Sequence, residues 1–255
     1  MGKAKGKSLC IFSAKGGVGK STTALNTAGV FCALDKKILI IDFDTSSGAI
    51  ATYLNRVPEM TIYNFVDDYA NNRYKSIRNY VTKYNDNIDF LASCKDPRQG
   101  SKIASNYIEI VLEKAVYEYD YVIVDTNHVL SEFNVTILDK CDETLLVMTN
   151  DLMDLKNMRN IIRIFKDAEK TNYKVLLNGS INPNKKYYSM YDIKSIIKTN
   201  VDYVIESSFY LKSMDNYVAD GKILTLENKM AKIYPKVYKA YLAVCNDLME
   251  LNNEK

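Results

Sequence analysis

The stretch SAKGGVGKST, residues 13–22, holds three glycines and two lysines in ten residues near the start of a 255-residue chain. It follows an apolar run over residues 8–13 and precedes a helix-length stretch over residues 20–34. A glycine-rich segment between a strand and a helix is typical of a phosphate-binding loop, because glycines let successive backbone N–H groups turn toward one anion. The start of the helix adds its partial positive charge. We therefore predict that this loop binds phosphate groups.

The residues of the loop take separate parts in this prediction. Lys20 is placed to reach the β- and γ-phosphates of a nucleotide, and the Ser21 hydroxyl is placed to bind Mg²⁺. Thr22 is expected to bond the α-phosphate. The remaining members of the cradle contribute their backbone: Gly16, Gly17, Val18 and Gly19.

Continuous apolar runs, rather than alternating ones, indicate strands covered on both faces, as in a parallel sheet. The predicted strands cover residues 8–13, 37–43, 88–93, 119–125, 143–149, 173–178 and 201–206. Helix-length stretches with apolar residues at helical spacing cover residues 20–34, 153–170, 188–199 and 235–251. This alternation predicts an α/β fold with a single doubly wound, mostly parallel sheet and helices on both faces. Because no linker interrupts the pattern, we expect one domain over residues 1–255, with residues 1–7 as a flexible tail.

Three aspartates stand where predicted strands end. Asp42 and Asp44 end ILIIDFD, and Asp125 ends YDYVIVD. Ligands of open α/β sheets bind outside the carboxyl ends of the strands. Carboxylates placed there beside a phosphate loop predict a shell for Mg²⁺ and water.

The loop departs from the usual phosphate-loop pattern at its start, where Ala14 stands in place of a glycine and Lys15 follows. In this form, KGGVGKST resembles the deviant Walker A loop of the ParA/MinD superfamily of dimerising P-loop ATPases. The resemblance implies ATP and Mg²⁺ as cofactors and an ATP-bound homodimer. Lys15 would be the signature lysine, which projects across the dimer interface to the partner's nucleotide and supports weak, dimer-dependent hydrolysis.

The resemblance also implies roles for the strand-end residues. Asp44 would orient the attacking water, Asp42 would hold the water shell of the metal, and Asp125 would be the Walker B aspartate. Asn178, which ends YKVLLN, would read adenine. The chain departs from the family after Asp125, where DTNHVL replaces the usual proline or glycine pair and introduces His128.

The order of segments along most of the chain is similar to the ATPase domain of the TadZ/CpaE group, which localises pilus-assembly machinery. This resemblance implies protein partners of a pilus system and recruitment to the cell pole or the inner membrane face. The alternative is a partition ATPase that binds nonspecific DNA and attaches to the nucleoid. It is motivated by a small basic spot and by lysines spaced by three and four, which a continuous helix would align but which Pro235 interrupts: Lys185 with Lys186, and Lys229, Lys232, Lys236 and Lys239.

Other classes are disfavoured by composition. The net charge of +3 is too small to indicate nucleic-acid binding by itself, and no apolar run reaches the roughly 20 residues of a membrane helix. The five scattered cysteines fit free thiols in a reducing cytoplasm. Cys94 and Cys141 raise the possibility of a shared iron-sulfur cluster, but no cysteine closely follows Asp125. Membrane targeting by the last helix is opposed by its acidic residues, so we expect that helix to pack on the core.

Overall fold

The computed structural model describes residues 5–180, 188–209, 214–227 and 229–251. The strands are β1 Lys7–Phe12, β2 Ile38–Asp42, β3 Thr82–Lys83, β4 Ile88–Leu91, β5 Tyr121–Asp125, β6 Glu143–Met148, β7 Tyr173–Asn178 and β8 Tyr203–Ile205. The α-helices are α1 Lys20–Ala33, α2 Ile50–Tyr53, α3 Ile62–Ala70, α4 Pro97–Gly100, α5 Asn106–Glu118, α6 Glu132–Lys140, α7 Leu152–Asp167, α8 Met190–Ile197, α9 Met214–Ala219, α10 Met230–Ile233 and α11 Pro235–Glu250.

Within these residues, the strands form one eight-stranded sheet in the order β3-β4-β2-β5-β1-β6-β7-β8. Every pair of neighbours is parallel except β3 with β4 at one edge. The carboxyl ends of seven strands therefore meet at one edge of the sheet. This confirms the predicted doubly wound α/β fold.

The core consists of two apolar layers, one on each face of the sheet, because successive side chains of a strand point to opposite faces. In β1, Leu9 and Ile11 pack under α1 and α11, whereas Cys10 and Phe12 pack under the helices of the other face. Because helices cover both faces of the sheet, both kinds of strand position are buried, and the strand sequences are apolar throughout. No helix in the described parts of the chain has the length and apolarity that a membrane span requires.

The predicted elements correspond to observed ones, with ends that differ by a few residues. The structure adds helices between residues 50 and 140 and the two-residue strand β3. The predicted tail over residues 1–7 is too long, because β1 begins at Lys7 and the N–H of Gly6 donates to the carbonyl of Val116 at 2.7 Å. Lys7 is itself buried, and its amine lies 3.3 Å from Asp142 Oδ1.

Helix α1, which carries the second half of the glycine loop, is buried between the sheet and the C-terminal segment. Thr225 donates from its backbone N–H to Asn26 Oδ1 at 3.1 Å and from Oγ1 to the carbonyl of Asn26 at 2.8 Å. A Cβ on Gly29 would stand 2.1 Å from Thr225 Oγ1, so this contact requires glycine. These contacts hold α1 between the sheet and the C-terminal segment, and they thereby limit where its first turn can lie.

The C-terminal helix α11 packs on the core, as predicted, with Tyr241 and Cys245 buried. At its far end Asp247 accepts a hydrogen bond from Tyr203 Oη at 2.5 Å and lies 3.8 Å from the amine of Lys174. Glu143, at the start of β6, lies in this cluster with Oε1 buried and without a hydrogen-bond partner in the described chain. Burial raises the pKa of Glu143 to about 7, and the nearby carboxylates of Asp247 and Asp202 add to the effect.

We predict that Glu143→Gln removes a pH-dependent destabilisation. The pKa of Glu143 is about 7 in the folded chain and 4.5 in the reference state, so the folded state holds the proton more tightly. Stability therefore falls as pH rises from about 4.5, and the full cost is present above pH 7. We expect the variant to be about 1–2 kcal/mol more stable than the parent at pH 8, after allowance for solvent screening, with little gain at pH 5. Urea unfolding at both pH values checks this, and equal gains at pH 5 and pH 8 would contradict it.

Candidate functional site

The glycine loop lies between β1 and α1, at the carboxyl edge of the sheet. Gly17 has a φ of 72° and Gly19 a φ of 94°, both in the left-handed region that favours glycine. Gly19 is also the N-cap of α1 and contributes no side chain there. The loop therefore presents backbone N–H groups and the helix start to the space above it, which is the arrangement of an anion cradle.

Lys20 is buried at the first position of α1. Its amine donates to Ser13 Oγ at 2.9 Å, and Ser13 Oγ donates to the carbonyl of Lys15 at 2.7 Å. Burial lowers the pKa of Lys20, while the carboxylates of Asp125 and Asp44 act in the opposite direction. A buried cation with one neutral hydrogen-bond partner fits a site that takes an anion.

Asp125 ends β5 directly across from the loop, and Ser21 Oγ donates to its Oδ2 at 2.5 Å. Burial raises the pKa of Asp125 to about 6. Its other oxygen, Oδ1, is buried and has no hydrogen-bond partner in the described residues. A hydroxyl and a carboxylate with a free lone pair are the donors that Mg²⁺ prefers, so Ser21 and Asp125 fit a magnesium ion.

Asp42 is adjacent to Asp125 in the register of β2 and β5 and is almost completely buried. Both of its carboxylate oxygens accept backbone hydrogen bonds, from the N–H of Asp44 at 3.1 Å and from that of Ile50 at 3.0 Å. Burial and the charge of Asp125 raise the pKa of Asp42. Asp42 therefore fixes the two ends of the loop between β2 and α2 by hydrogen bonds to the backbone of that loop.

Asp44 stands on the same loop and lines the cavity above the glycine loop. Its Oδ1 accepts hydrogen bonds from the N–H and Oγ of Ser46, at 3.2 and 2.7 Å, and from the N–H of Ser47 at 3.1 Å. The carboxylate is only partly buried and can accept a further hydrogen bond from a ligand or water.

A cavity of about 480 Å³ joins these groups. At one end it lies beside β2 and β5, and at the other beside β7 and β8, so it runs across the edge of the sheet. Its lining includes Gly16, Gly17, Gly19, Lys20, Ser21, Thr22, Asp44, Ser47, Ala49, Tyr53, Thr126, Asn127, His128, Asn178, Ser180, Phe209 and Tyr241. The structure thus brings most of the predicted site residues into one cavity. Lys15, Val18, Asp42 and Asp125 belong to the same loops and strand ends but are not among its lining residues.

Asn178 lies at the β7 end of the cavity with its amide already engaged. Its Nδ2 donates to the carbonyl of Val18 at 3.0 Å, and its Oδ1 accepts from the N–H and Oγ of Ser180. Aromatic rings of Tyr53, Phe209 and Tyr241 line the cavity with it. Sequence reasoning missed these rings because they come from three distant segments and share no local motif.

Lys15 stands at the mouth of the site, with 46% of its side chain exposed. Its amine lies 3.4 Å from Asp151 Oδ1, at the N-cap of α7. The backbone of α7 lowers the pKa of Asp151, and Lys15 contributes further. Next to it, Asp154 is fully buried, accepts from Thr149 and leaves Oδ1 without a partner in the described chain. Sequence reasoning missed Asp151 as the partner of Lys15. Its position between the end of β6 and the start of α7 is the signal that could have identified it.

Comparison with known proteins agrees with this geometry. A family model described as an AAA domain, AAA_31, matches residues 6–181, which include the glycine loop, the strand-end aspartates and Asn178. The chain belongs to this family. Together with the relatives and structures described below, the match places it in the ParA/MinD superfamily of P-loop ATPases.

Curated relatives include two septum site-determining proteins MinD and one chromosome-partitioning ATPase Soj. MinD of Helicobacter pylori is 24% identical over 92% of this chain and 90% of its own length, and Soj of Treponema pallidum is 22% identical over 89% and 85%. MinD of Bacillus subtilis is 24% identical over 64% of this chain. The matched part spans only 61% of the length of that relative.

Solved structures share the fold over nearly the whole chain. A ParA family ATPase from Chlorobium tepidum has a TM-score of 0.79 at 20% identity and covers 94% of this chain and 98% of its own. The septum site-determining protein MinD from Pyrococcus horikoshii, complexed with Mg-ADP, has a TM-score of 0.76 at 17% identity and covers 96% and 97%.

The two cysteines considered for an iron-sulfur cluster lie apart in this ATPase. Cys94 follows β4 at the carboxyl edge of the sheet, whereas Cys141 precedes β6 at the opposite edge and is buried. One chain therefore does not bring them together. Within the described residues, no group of three or more His, Cys, Asp or Glu side chains is placed to hold a metal ion by itself.

We predict that Asp125→Asn stabilises the fold but weakens magnesium-dependent nucleotide binding. Burial makes the ionised carboxylate unfavourable above its pKa of about 6, so the neutral amide should raise stability at pH 7.5 by about 1–2 kcal/mol. Loss of the carboxylate should weaken MgATP binding by about 10- to 100-fold. Thermal unfolding without nucleotide and calorimetric titration with MgATP measure the two effects. Asp167→Asn, on the exposed side of α7, is the matched control; lower stability together with unchanged MgATP affinity for Asp125→Asn would contradict the prediction.

Proposed function

We propose that this chain is a dimerisation-switch ATPase that binds ATP with Mg²⁺, hydrolyses it weakly to ADP and phosphate, and positions a macromolecular cargo. The observation that carries the proposal is the exposed Lys15 on the glycine loop of a cavity that buried Lys20 lines, with buried Asp125 hydrogen-bonded to the lining residue Ser21. The relatives named for septum-site determination and chromosome partitioning, and the solved MinD with Mg-ADP, support the same class.

Within the proposed single P-loop domain, different residues bind the phosphates, the metal ion and the attacking water. The amides of Gly16–Gly19 cradle the phosphates, and Lys20 gives up its contact with Ser13 to neutralise the β- and γ-phosphates. Ser21 and Asp125 would hold Mg²⁺, which would shield the charge of the triphosphate. Asp44 accepts a proton or hydrogen bond from water at the open end of the loop.

Dimerisation follows from the charges at the mouth of the cavity. Two triphosphates that face each other repel, and an amine donated by the partner offsets this repulsion. Lys15 is exposed enough to reach out of its own subunit, and Asp151 holds its amine in place within the subunit. The salt bridge between two partly exposed groups is weak, so Lys15 is easily released to the partner.

Substitution of Lys15 tests the proposal. We expect Lys15→Ala to bind MgATP within about threefold of the parent and to lose ATP-dependent dimerisation, because the charge supplied to the partner is missing. Sedimentation velocity with MgATP and with MgADP measures the mass. Lys75→Ala removes an exposed lysine far from the cavity and serves as the control. Dimerisation of Lys15→Ala at the parent's level would contradict the proposal.

Substitution of Asp44 separates dimerisation from turnover. We expect Asp44→Ala to keep the ATP-dependent dimer and to lose hydrolysis by about 10²-fold or more, because the water is no longer oriented. Phosphate release and sedimentation are measured on the same preparation, with Thr45→Ala on the same loop as the control. Hydrolysis at the parent's rate would show that another group orients the water.

For the cellular role we propose localisation of pilus-assembly machinery, as in the TadZ/CpaE group. In this role the ATP-bound dimer stays cytoplasmic and is recruited to the cell pole or the inner membrane face through protein partners. The proposal rests on the order of segments along the sequence. It predicts that the output surface binds protein and has no need of DNA.

The second candidate is a partition ATPase that binds nonspecific DNA, and a basic surface on α7 and α8 favours it. This surface consists of exposed side chains without an ion pair in the described residues: Lys156, Arg159, Arg163, Lys166, Lys194 and Lys198. Lys166 donates to the carbonyl of Lys198 at 2.7 Å, which joins the two helices. The row on α7 is about 15 Å long, and such a row suits a phosphate backbone.

The lysines near the last helix make a poor DNA surface, because the helix breaks at Pro235, as the sequence indicates. Pro235 starts α11 after α10 has ended at Ile233, so the series is divided between two helices. Lys236 is paired with Glu206 at 2.9 Å. The other basic spot, Lys185 and Lys186, lies outside the described residues.

A DNA-binding measurement separates the two roles. If the chain is a partition ATPase, Arg159→Ala/Arg163→Ala should weaken MgATP-dependent binding to nonspecific duplex DNA by at least tenfold and lower the salt dependence by about two phosphate contacts. Lys75→Ala/Lys102→Ala is the matched control, and each protein is titrated at low and moderate salt. Absence of MgATP-dependent binding by the parent at either salt would exclude the DNA role and favour the pilus role.

A further inference from the structure

His128, the only histidine of the chain, lies on the loop that follows β5. Its side chain lines the cavity and packs against the glycine loop: a Cβ built on Gly16 would stand 3.5 Å from both Nδ1 and Cε1 of the imidazole. The ring therefore lies close to the backbone of Gly16, and it faces the space in which the cradle would hold phosphates.

The backbone on both sides of His128 is held in place. Before it, Thr126 Oγ1 donates to the carbonyl of Ile11 in β1 at 2.8 Å. After it, Nδ2 of the buried Asn134 donates to Asn127 Oδ1 and to the carbonyl of Val129, each at 2.7 Å. Since Asn134 belongs to α6, the position of the imidazole is tied to that helix.

The location of His128 identifies which part of a nucleotide it meets. The ring lies at the β2 and β5 end of the cavity, with Asp44, whereas Asn178 and Phe209 lie at the β7 and β8 end. If Lys20 contacts the β- and γ-phosphates, the γ-phosphate lies at the β2 and β5 end of the cavity, where His128 stands. The imidazole is exposed and makes no hydrogen bond or ion pair with the described residues, so its nitrogens remain available to a ligand.

We propose that His128 binds the γ-phosphate and so distinguishes a nucleoside triphosphate from a diphosphate. This inference rests on the proposed function, because it requires a nucleotide in the cavity. One ring N–H donates to a γ-phosphate oxygen, and the contact is stronger when the imidazole is protonated. Through Asn127 and Asn134 the same contact links the presence of the third phosphate to α6.

Substitution of His128 tests the contact by affinity rather than by turnover. A nonhydrolysable ATP analogue and ADP, each with Mg²⁺, are titrated calorimetrically into the parent, His128→Ala and His128→Gln. We expect His128→Ala to bind the analogue about tenfold more weakly while its affinity for ADP stays within twofold, because one charge-assisted hydrogen bond is lost. His128→Gln, which keeps a donor, should lie between the two.

The conservative variant gives a readout that a structural role would not change. His128→Gln keeps a side-chain donor, so it should recover part of the analogue affinity that His128→Ala loses, with ADP affinity unchanged. Lys20 and Asp44 also line the cavity, and both remain in the two variants.

Val129→Ala is the matched control for a disturbed loop, because its side chain is 54% exposed and lies outside the cavity lining. It should leave both affinities unchanged. An equal loss of analogue and ADP affinity in His128→Ala, or a parent-like ratio of the two affinities in both variants, would overturn the inference. Failure of the parent to bind either nucleotide would instead contradict the proposed function.

Discussion

The burial of Lys20, Asp42 and Asp125 at one edge of a parallel sheet is the constraint on which the site depends. Charged groups are costly to bury unless they are paired or meet a ligand. Burial lowers the pKa of Lys20 and raises the pKa of Asp42 and of Asp125, which favours the neutral form of each group. One oxygen of Asp125 also has no hydrogen-bond partner in the described chain. An anion above the glycine loop and a cation beside Ser21 would satisfy these charges. The arrangement of these side chains therefore favours the binding of a magnesium-nucleotide.

The segments around the phosphate end are held by hydrogen bonds between side chains and backbone, in addition to the burial of Phe43 in the core. Asp42 and Asp44 hold the loop after β2 through the amides of Ile50, Ser46 and Ser47. Asn134 holds the loop after β5. Such contacts can be exchanged one by one without opening the core, so both loops can respond to a phosphate while the sheet stays unchanged.

The output of the proposed switch depends on surfaces that lie beyond the nucleotide. Lys15 and Asp151 connect the glycine loop to the start of α7, and the basic surface lies on the exposed side of α7 and α8. A change at the mouth of the cavity therefore reaches a surface that can bind a partner. The positive charge of that surface favours an anionic partner, and the identity of that partner would distinguish the two proposed roles.

The sequence by itself determined the sheet, the glycine loop and the strand-end aspartates, because each depends on short-range patterns. Apolar runs covered on both faces identify strands, and Gly17 and Gly19 stand where positive φ is required. Short or half-buried elements such as β3 have no comparable pattern and were missed. Only the tertiary structure decided that both oxygens of Asp42 are taken by backbone amides, that Phe209 and Tyr241 reach the cavity, and that His128 packs on Gly16. These contacts join residues far apart in the chain, and their distances are set by how strands and helices pack, which no local spacing records.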